Sequence, residues 1–251
     1  MIDPPWTAWW LPVAAAPFVG SFLGVLIVRL PAGEPVIADR SRCPHCRHVL
    51  GPLDLVPLAS WAARGGRCRH CAQPIGVFYP AIEGAAVAVA LWAAAVVPGW
   101  PLWASCVLGW ALLALAVIDQ RHRVLPDALT LPLLAAGLAV AWLLDPGAAI
   151  DHAVGAATGF GVLIALARIY RRLRGRDGLG GGDAKLLAAA GAWVSWTGLA
   201  GVVLVASATA LAVVLARTLL GRPVPGDEQI PFGPYLALAT WLVWLYGPPL
   251  P

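Results

Sequence analysis

The sequence predicts an all-α polytopic membrane protein with about eight transmembrane helices and one small cytoplasmic zinc-binding loop. Three observations support this fold class. Of the 251 residues, 60% are hydrophobic and 12% are charged, whereas soluble domains carry about 25% charged residues. The apolar residues fall into long runs, and about 20 such residues cross the hydrocarbon core of a bilayer. Four of the five cysteines form two CxxC pairs within one polar segment.

Eight apolar runs are candidate membrane spans. The sixth run is short, and its boundary with the seventh depends on residues 195–198, so seven spans remain an alternative. Ahead of the first run, the stretch MIDPPW contains no Lys or Arg, and we therefore expect no cleavable signal peptide. The candidate spans are roughly residues 11–29, 81–98, 100–118, 128–145, 149–169, 184–197, 198–217 and 233–248.

The distribution of positive charge predicts the orientation of these spans. With the N-terminus outside, the cytoplasmic segments are 30–80, 119–127, 170–183 and 218–232. All seventeen Lys and Arg residues lie in these segments or within a few residues of them, which agrees with the positive-inside rule. The basic excess therefore reflects topology in a lipid membrane, and we expect no nucleic-acid partner.

The predicted organisation has three parts. Residues 1–29 form the first transmembrane helix, residues 30–80 form a cytoplasmic loop, and residues 81–251 form a transmembrane core. The loop is too small to bury a substantial apolar core. It therefore needs another source of stability, which its cysteines supply.

The loop reads RCPHC at residues 42–46 and RCRHC at residues 67–71. Each CxxC pair presents two thiolates from one tight turn, and two pairs complete a tetrahedral site for zinc. Four cysteines close the coordination shell, so the zinc is expected to be structural. A disulfide is the alternative, which a cytoplasmic location disfavours. The expected metal ligands are Cys43, Cys46, Cys68 and Cys71.

Two aspartates are candidate catalytic residues because of their positions. Asp119 ends the third apolar run, in AVIDQRHRVLPD, and Asp183 begins the sixth, in GLGGGDAKLL. A carboxylate beside a membrane span costs several kcal/mol unless it is paired or functional. The alternative is that Asp119 pairs with Arg121 or Arg123 and that Asp183 caps a helix. The glycine-rich stretch before Asp183 favours function, because an extended substrate could pair with such a backbone.

Two facing carboxylates can hydrolyse a peptide bond. One acts as a base on a water molecule, and the other, protonated, donates to the scissile carbonyl. Asp183 lies at a helix N-terminus, where the helix dipole favours negative charge, and Asp119 lies at a C-terminus. We therefore hypothesise that Asp183 is the base and Asp119 the acid.

Two further acids have less certain roles. Asp127 follows Pro126 and is expected to cap the N-terminus of the fourth predicted span. Glu83 is the acid just inside the second span, and it is either a first-turn partner of the helix dipole or a site residue.

Several motifs of the chain, in order, resemble those of the type IV prepilin peptidases, also called leader peptidases and N-methyltransferases. GSFLGVLIVRLP resembles the first helix of that family, and SRCPHC, RCRHC and YPAIE resemble its zinc loop and the helix that follows. IDQRHRVLPDALTLPLL and GLGGGDAKLLAAAGAW resemble the two segments that carry its catalytic aspartates, and IPFGPYLALA resembles the start of its last helix.

This resemblance implies an inner-membrane aspartyl protease that removes the leader peptide of type IV prepilins or type II secretion pseudopilins at the cytoplasmic face. It further implies N-methylation of the new N-terminus with S-adenosylmethionine. Asp119 and Asp183 correspond to the catalytic aspartates, the four loop cysteines to the zinc ligands, and Glu83 to the acid of YPxxE. Gly24 stands where the family usually has Asn, which bears on methyl transfer or substrate preference.

Two other functions are compatible with the sequence. The first is a peptidase without methyl transfer. The second is a transporter or zinc-stabilised membrane scaffold whose aspartates relay protons. That function predicts several acids at mid-membrane depth, whereas the acids of this chain cluster at predicted cytoplasmic helix ends.

Overall fold

A computed structural model of the chain describes residues 8–175, 180–222 and 230–249. The described residues are almost entirely helical, and two isolated β-bridges lie in the cysteine loop. A 3₁₀ turn covers Pro52–Asp54. The helices are α1 (Trp10–Arg29), α2 (Ala59–Ala63), α3 (Phe78–Val96), α4 (Pro101–His122), α5 (Asp127–Leu144), α6 (Ala149–Arg174), α7 (Gly181–Leu219) and α8 (Gly233–Tyr246).

The predicted all-α membrane fold is confirmed. Among the described residues, six helices are long and apolar enough to cross a membrane, namely α1, α3, α4, α5, α6 and α7. The count of eight spans is not confirmed. Helix α7 contains both the sixth and the seventh predicted spans, and α8, with 14 residues, is shorter than a typical span.

The described residues form two compact units, which divide between Ala114 and Leu115 within α4. In the first unit, α1 packs against α3 through two glycines one helical turn apart. A Cβ atom on Gly20 would lie 2.6 Å from the Cα atom of Glu83, and one on Gly24 would lie 2.7 Å from the ring of Tyr79. Small residues at this spacing allow membrane helices to approach closely, and here they place α3 directly against α1.

In the second unit, α6 and α7 make a close contact through glycine. A Cβ atom on Gly155 would lie 2.5 Å from the carbonyl oxygen of Gly191, and one on Gly191 would overlap the carbonyl group of Gly155. One turn along α6, a Cβ atom on Gly159 would lie 2.6 Å from the carbonyl oxygen of Leu187. The two backbones therefore touch without intervening side chains.

Helix α7 is broken at Ser195, whose φ of 61° and ψ of 177° are not helical. The Ser195 hydroxyl accepts a hydrogen bond from the N–H of Thr197 at 3.2 Å, as an N-cap residue does for a new helix. The carbonyl of Ala192 lies one turn earlier, and Nδ1 of His152 in α6 is 2.9 Å from it. The break coincides with the boundary predicted at residues 195–198.

Candidate active site and metal site

Asp119 lies in the last turn of α4, and only 6% of its surface is exposed. Its Oδ2 atom accepts a hydrogen bond of 2.9 Å from the backbone N–H of Gly233, the first residue of α8. The start of α8 is thus fixed on this carboxylate. Arg123, four residues later, interacts electrostatically with Asp119, so the pairing with a nearby arginine that the sequence left open stays open.

Position 233 requires glycine because of this contact. A Cβ atom at Gly233 would lie 2.6 Å from Oδ2 and 3.0 Å from Cγ of Asp119. Pro234 follows in the first turn of α8, where its missing N–H costs no helical hydrogen bond. The FGP sequence therefore begins a helix and allows the carboxylate to approach its first N–H group.

Asp183 is the third residue of α7 and is partly exposed. Its Oδ2 atom accepts a hydrogen bond of 3.3 Å from the N–H of Gly180, so the expected capping contact exists. The carboxyl group also interacts electrostatically with that of Asp119. Capping and catalysis are therefore not exclusive alternatives at this residue.

A second close contact involves the segment that follows α4. A Cβ atom on Gly182 would lie 3.0 Å from the Cβ atom of Leu125. The absence of a side chain at position 182 lets this segment pack directly on the start of α7. Gly178 and Leu179, which belong to the predicted substrate-binding stretch, lie outside the described residues.

The structure removes the reason for which the sequence analysis assigned Asp183 as the base and Asp119 as the acid. The sequence places Asp119 only at the C-terminus of a helix, but the structure also places it at the N-terminus of α8. Because both Asp119 and Asp183 now accept hydrogen bonds from N–H groups at helix starts, the helix dipole no longer distinguishes between them. The assignment of the base therefore stays a hypothesis.

The interpretation of Asp127 as an N-cap is wrong. Asp127 is the first residue of α5, its preceding residue Pro126 occupies the cap position, and no side chain caps this helix. Both carboxylate oxygens of Asp127 bind Nζ of Lys185, at 2.6 and 2.8 Å. Asp127 binds this cation because it lies beside α7, and the pair joins the starts of α5 and α7.

The four cysteines of the loop come together in one cluster. The sulfur atoms of Cys43, Cys46, Cys68 and Cys71 all lie within 4.8 Å of one another. The sulfurs of Cys43 and Cys71 are 3.9 Å apart, close to the separation of about 3.8 Å that tetrahedral Zn–S bonds of about 2.3 Å produce. All four are free thiols, so the structure contains no disulfide here, and the donor set fits zinc.

The two CxxC turns have the same backbone structure. In the first, the N–H of Cys43 bonds to the carbonyl of His48, and in the second, the N–H of Cys68 bonds to the carbonyl of Gln73, each at 2.9 Å. Backbone N–H groups of Cys71 and His70 lower the pKa of the Cys68 thiol to about 6. The backbone N–H of Gln73 lowers the pKa of the Cys71 thiol in the same turn, but burial and the neighbouring thiols outweigh it and raise this pKa to about 11. The turn therefore favours the thiolate at Cys68 alone.

Glu83 belongs to the first unit, whereas both aspartates belong to the second. It is 6% exposed, and its Oε2 atom accepts a hydrogen bond of 2.7 Å from the N–H of Leu58 in the cysteine loop. Glu83 lies near the start of α3 as expected, but its observed partner is this loop rather than the N-terminus of its own helix.

Two family models together match most of the chain. Residues 106–215, which include both aspartates, match the type IV leader peptidase family. Residues 15–97, which include all four loop cysteines, match the bacterial peptidase A24 N-terminal domain. A prepilin leader peptidase/N-methyltransferase of Aeromonas hydrophila is 39% identical over 97% of this chain and 92% of its own length.

The chain belongs to the type IV leader peptidase family.

Two other members of the family carry the same description. That of Burkholderia pseudomallei strain 1026b is 42% identical over 92% of this chain and 83% of its own length. That of Pseudomonas aeruginosa is 36% identical over 91% of this chain and 87% of its own length. No solved structure is significantly similar to the chain.

Sequence reasoning missed two contacts in or beside the candidate active site. The hydrogen bond from Gly233 to Asp119 joins residues 114 positions apart. The sequence feature that could have indicated it is the glycine between Phe232 and Pro234, just before an apolar run. The pair between Lys185 and Asp127 spans 58 positions. The sequence feature that could have indicated this pair is the presence of opposite charges at two predicted cytoplasmic helix ends.

Proposed function

We propose that this chain is a membrane aspartyl endopeptidase that removes the leader of type IV prepilins or type II secretion pseudopilins and then N-methylates the new N-terminus. The observation that carries the peptidase activity is the interacting pair Asp119 and Asp183, each held by a backbone N–H at the start of a helix. The names of the relatives support the substrate class and the second activity.

Hydrolysis by this pair follows from the chemistry of two carboxyl groups that share one proton. The ionised carboxylate takes a proton from water as the water oxygen bonds to the scissile carbonyl carbon. The protonated carboxyl group gives its proton to the carbonyl oxygen. When the tetrahedral intermediate collapses, the C–N bond breaks and the leaving nitrogen receives a proton, so the pair returns to its starting state.

Methyl transfer needs a different environment from hydrolysis. The amine attacks only in its neutral form, and its nitrogen bonds to the methyl carbon as the carbon–sulfur bond breaks with its electron pair going to sulfur. The nitrogen then loses one proton. S-adenosylmethionine supplies the electrophilic methyl group when bound. An acidic dyad opposes the loss of a proton from the amine, so we place methyl transfer at a second site.

The four loop cysteines are proposed to hold a structural zinc ion. Their shell is closed, and no position remains for a water molecule, so zinc is not expected to take part in either reaction. The predicted loop at residues 30–80 is proposed to be a cytoplasmic module on a core at residues 81–251. The resemblance to type IV prepilin peptidases supports an inner membrane location, and the positive charges favour an orientation with the N-terminus outside and the active site inside.

Mass analysis of a prepilin treated with the purified enzyme and S-adenosylmethionine tests this function. We expect a product that lacks the leader and carries one additional methyl group. Asp119→Asn and Asp183→Asn should each reduce cleavage at least about 1,000-fold, because a catalytic residue usually supplies an effect of that order.

Asp127→Asn is the matched control, since it is a third acidic residue of the second unit and pairs with Lys185. Its activity should stay within a few fold of the wild type. Cleavage that survives in both dyad variants would disprove the peptidase mechanism. Cleavage without the methyl mass would instead select a peptidase that lacks methyl transfer.

A further inference from the structure

A groove of about 640 Å³ runs along the surface of the second unit, between α6 and the two halves of α7. Both helices are candidate membrane spans. The groove is lined by aliphatic side chains and the indole of Trp196, with Thr158 and Ser207 as its polar members. The hydroxyl of Thr158 already donates to the carbonyl of Val154 in its own helix, at 2.8 Å. The groove therefore suits an apolar occupant.

The walls of this groove have the spacing of a surface that receives a helix. On α6 the wall residues lie four apart, at Val154, Thr158 and Val162. On the second half of α7 they include residues four or three apart, at Trp196, Ala200, Val203 and Ser207. Rows of side chains at these spacings form the ridges between which another helix packs. From Trp196 to Ser207 the helix rises about 16 Å, which accommodates about three turns of an occupying helix.

The groove extends to the level of the two aspartates. Gly155 of α6 contacts Gly191 of α7, and Gly159 contacts Leu187. Four residues forward on α6 therefore correspond to four residues backward on α7. The next step of four brings α6 level with Asp183, and Val162, at one end of the groove, lies beside that level.

The floor of the groove belongs to the same face of α7 as Asp183. Leu187, which is buried, contributes this floor from the first half of the helix. Residues four apart on a helix lie on one face, so the face that carries Asp183 continues into the groove. At the other end, the indole N–H of Trp196 donates to Oδ1 of Asp151 at 3.3 Å, which holds the ring in place.

We propose that this groove binds the apolar helix of the substrate that follows the cleavage site, and so places the scissile bond beside the aspartates. The inference rests on the proposed function, because the resemblance to prepilin peptidases implies that the bond lies directly before such a helix. A helix that fills the groove runs from Asp183 toward Trp196. Its first turns are then held by α6 and α7, and the chain before it reaches the dyad.

Photo-crosslinking tests the location of the substrate without measuring cleavage. We place p-benzoylphenylalanine at Leu204, which is 49% exposed and lines the groove, or at Leu215, which is 53% exposed on the same helix but outside the groove. The full chain is reconstituted in phosphatidylcholine vesicles with a prepilin and irradiated. The variant at Leu204 should crosslink to the apolar segment of the prepilin, and the variant at Leu215 should not.

Filling the groove tests the same site by kinetics. Ala200→Phe adds a ring within the groove, whereas Ala208→Phe adds one at an exposed position of the same helix outside it. The substrates compared are a prepilin and a short peptide that ends a few residues after the cleavage site. Ala200→Phe should raise KM for the prepilin and lower kcat/KM for the prepilin relative to the peptide by about 10-fold, as overpacking costs. Ala208→Phe should leave this ratio unchanged, and melting temperatures in detergent report the folding of both variants.

The possible failures are distinguishable. If the variant at Leu204 crosslinks only to lipid or to a second copy of the chain, and Ala200→Phe leaves the ratio unchanged, the groove does not bind the substrate and the peptidase function still stands. If the variant at Leu204 crosslinks to the prepilin but cleavage survives in Asp119→Asn and Asp183→Asn, the peptidase mechanism fails and the groove assignment stands.

Discussion

At the scale of single residues, the contact between Gly233 and Asp119 determines the position of one catalytic candidate. Glycine is required there by space rather than by backbone conformation, because the residue lies within an ordinary helix start and its missing side chain admits a carboxylate oxygen. Any larger residue must move either the first turn of α8 or the carboxylate itself.

Gly233→Ala should therefore reduce turnover strongly. A displacement of about 1 Å in a catalytic group costs on the order of 100-fold in rate, so we expect kcat for prepilin cleavage to fall by about that factor while KM changes little. Gly161→Ala is the control, because nothing lies within 4 Å of a Cβ atom at that helical position. Equal rates for the two variants would contradict the positioning role of Gly233.

The identity of the candidate residues could be predicted, but their contacts could not. A charge beside an apolar run is visible in sequence, and so are two CxxC pairs at short spacing. Asp127 shows the limit: its position after a proline is typical of a cap, but Lys185 lies close by only because α5 and α7 are neighbours. Such partners depend on tertiary packing, which leaves no local pattern.

At the scale of elements, the glycines of α6 and α7 decide how closely the two helices pack. The carbonyl of Gly155 occupies the place where a Cβ atom of residue 191 would stand. Backbone atoms cannot give way as the end of a flexible side chain can, and added atoms in a tightly packed region cost about 1–3 kcal/mol.

Gly191→Ala should lower stability despite the higher helix propensity of alanine. We expect a loss of about 1–3 kcal/mol in unfolding free energy, measured as a lower melting temperature in detergent. Gly161→Ala in α6 again supplies the comparison, and it should be neutral or slightly stabilising. A Gly191 variant that melts no lower than this control would show that α6 and α7 do not pack as described.

Helix boundaries were predicted well where polar residues or prolines interrupt an apolar run. They were predicted poorly where tertiary packing determines where a helix ends. The first helix ends at Arg29 as expected, before LPAGEP. The boundary at Ser195 was visible because Ser, Trp, Thr and Gly interrupt an apolar run. The bond from His152 to the carbonyl of Ala192 was not visible, since it depends on the packing of α6 beside the break.

At the scale of the whole molecule, the cysteine cluster is proposed to stabilise the segment between α1 and α3. That segment contains one helix of five residues and two isolated β-bridges, so metal binding rather than an apolar core should fold it. Helices α5 to α8 belong to the other unit and do not use the cluster.

Cys46→Ser should release zinc and make residues 31–77 sensitive to proteolysis while most of the helical circular dichroism remains. Metal analysis and limited digestion with mass mapping measure the two effects. Cys106→Ser serves as the control, since Cys106 is buried in α4 outside the cluster. Retention of zinc in Cys46→Ser would rule out the four-cysteine site.

The second unit also restricts the number of membrane crossings. Asp183 begins α7, Gly233 begins α8, and both contact or interact with Asp119, so residues 183 and 233 lie at the same level of this unit. We therefore predict that the chain between them crosses the membrane an even number of times. The break at Ser195 supplies the reversal, and Leu187 and Val203, on opposite sides of the break, line one groove.

The same break makes the crossing helices short. Residues 181–194 and α8 each contain 14 residues, which at 1.5 Å per residue is about 21 Å. The end of α8 lies beside the start of the second half of α7, because a Cβ atom on Gly201 would lie 2.8 Å from Pro249. Both helices therefore run from the aspartates to the break, and neither matches a hydrocarbon core of about 30 Å.

Hydrophobic mismatch follows from this geometry, and a bilayer accommodates short helices by becoming thinner around them. Thinning would bring the water surface closer to Asp119 and Asp183, which in the proposed mechanism need water to cut a peptide bond. We therefore predict faster prepilin cleavage in vesicles of short-chain phosphatidylcholine than in long-chain vesicles at equal fluidity. A rate that rises with acyl chain length would instead mean that the aspartates reach water without deforming the membrane.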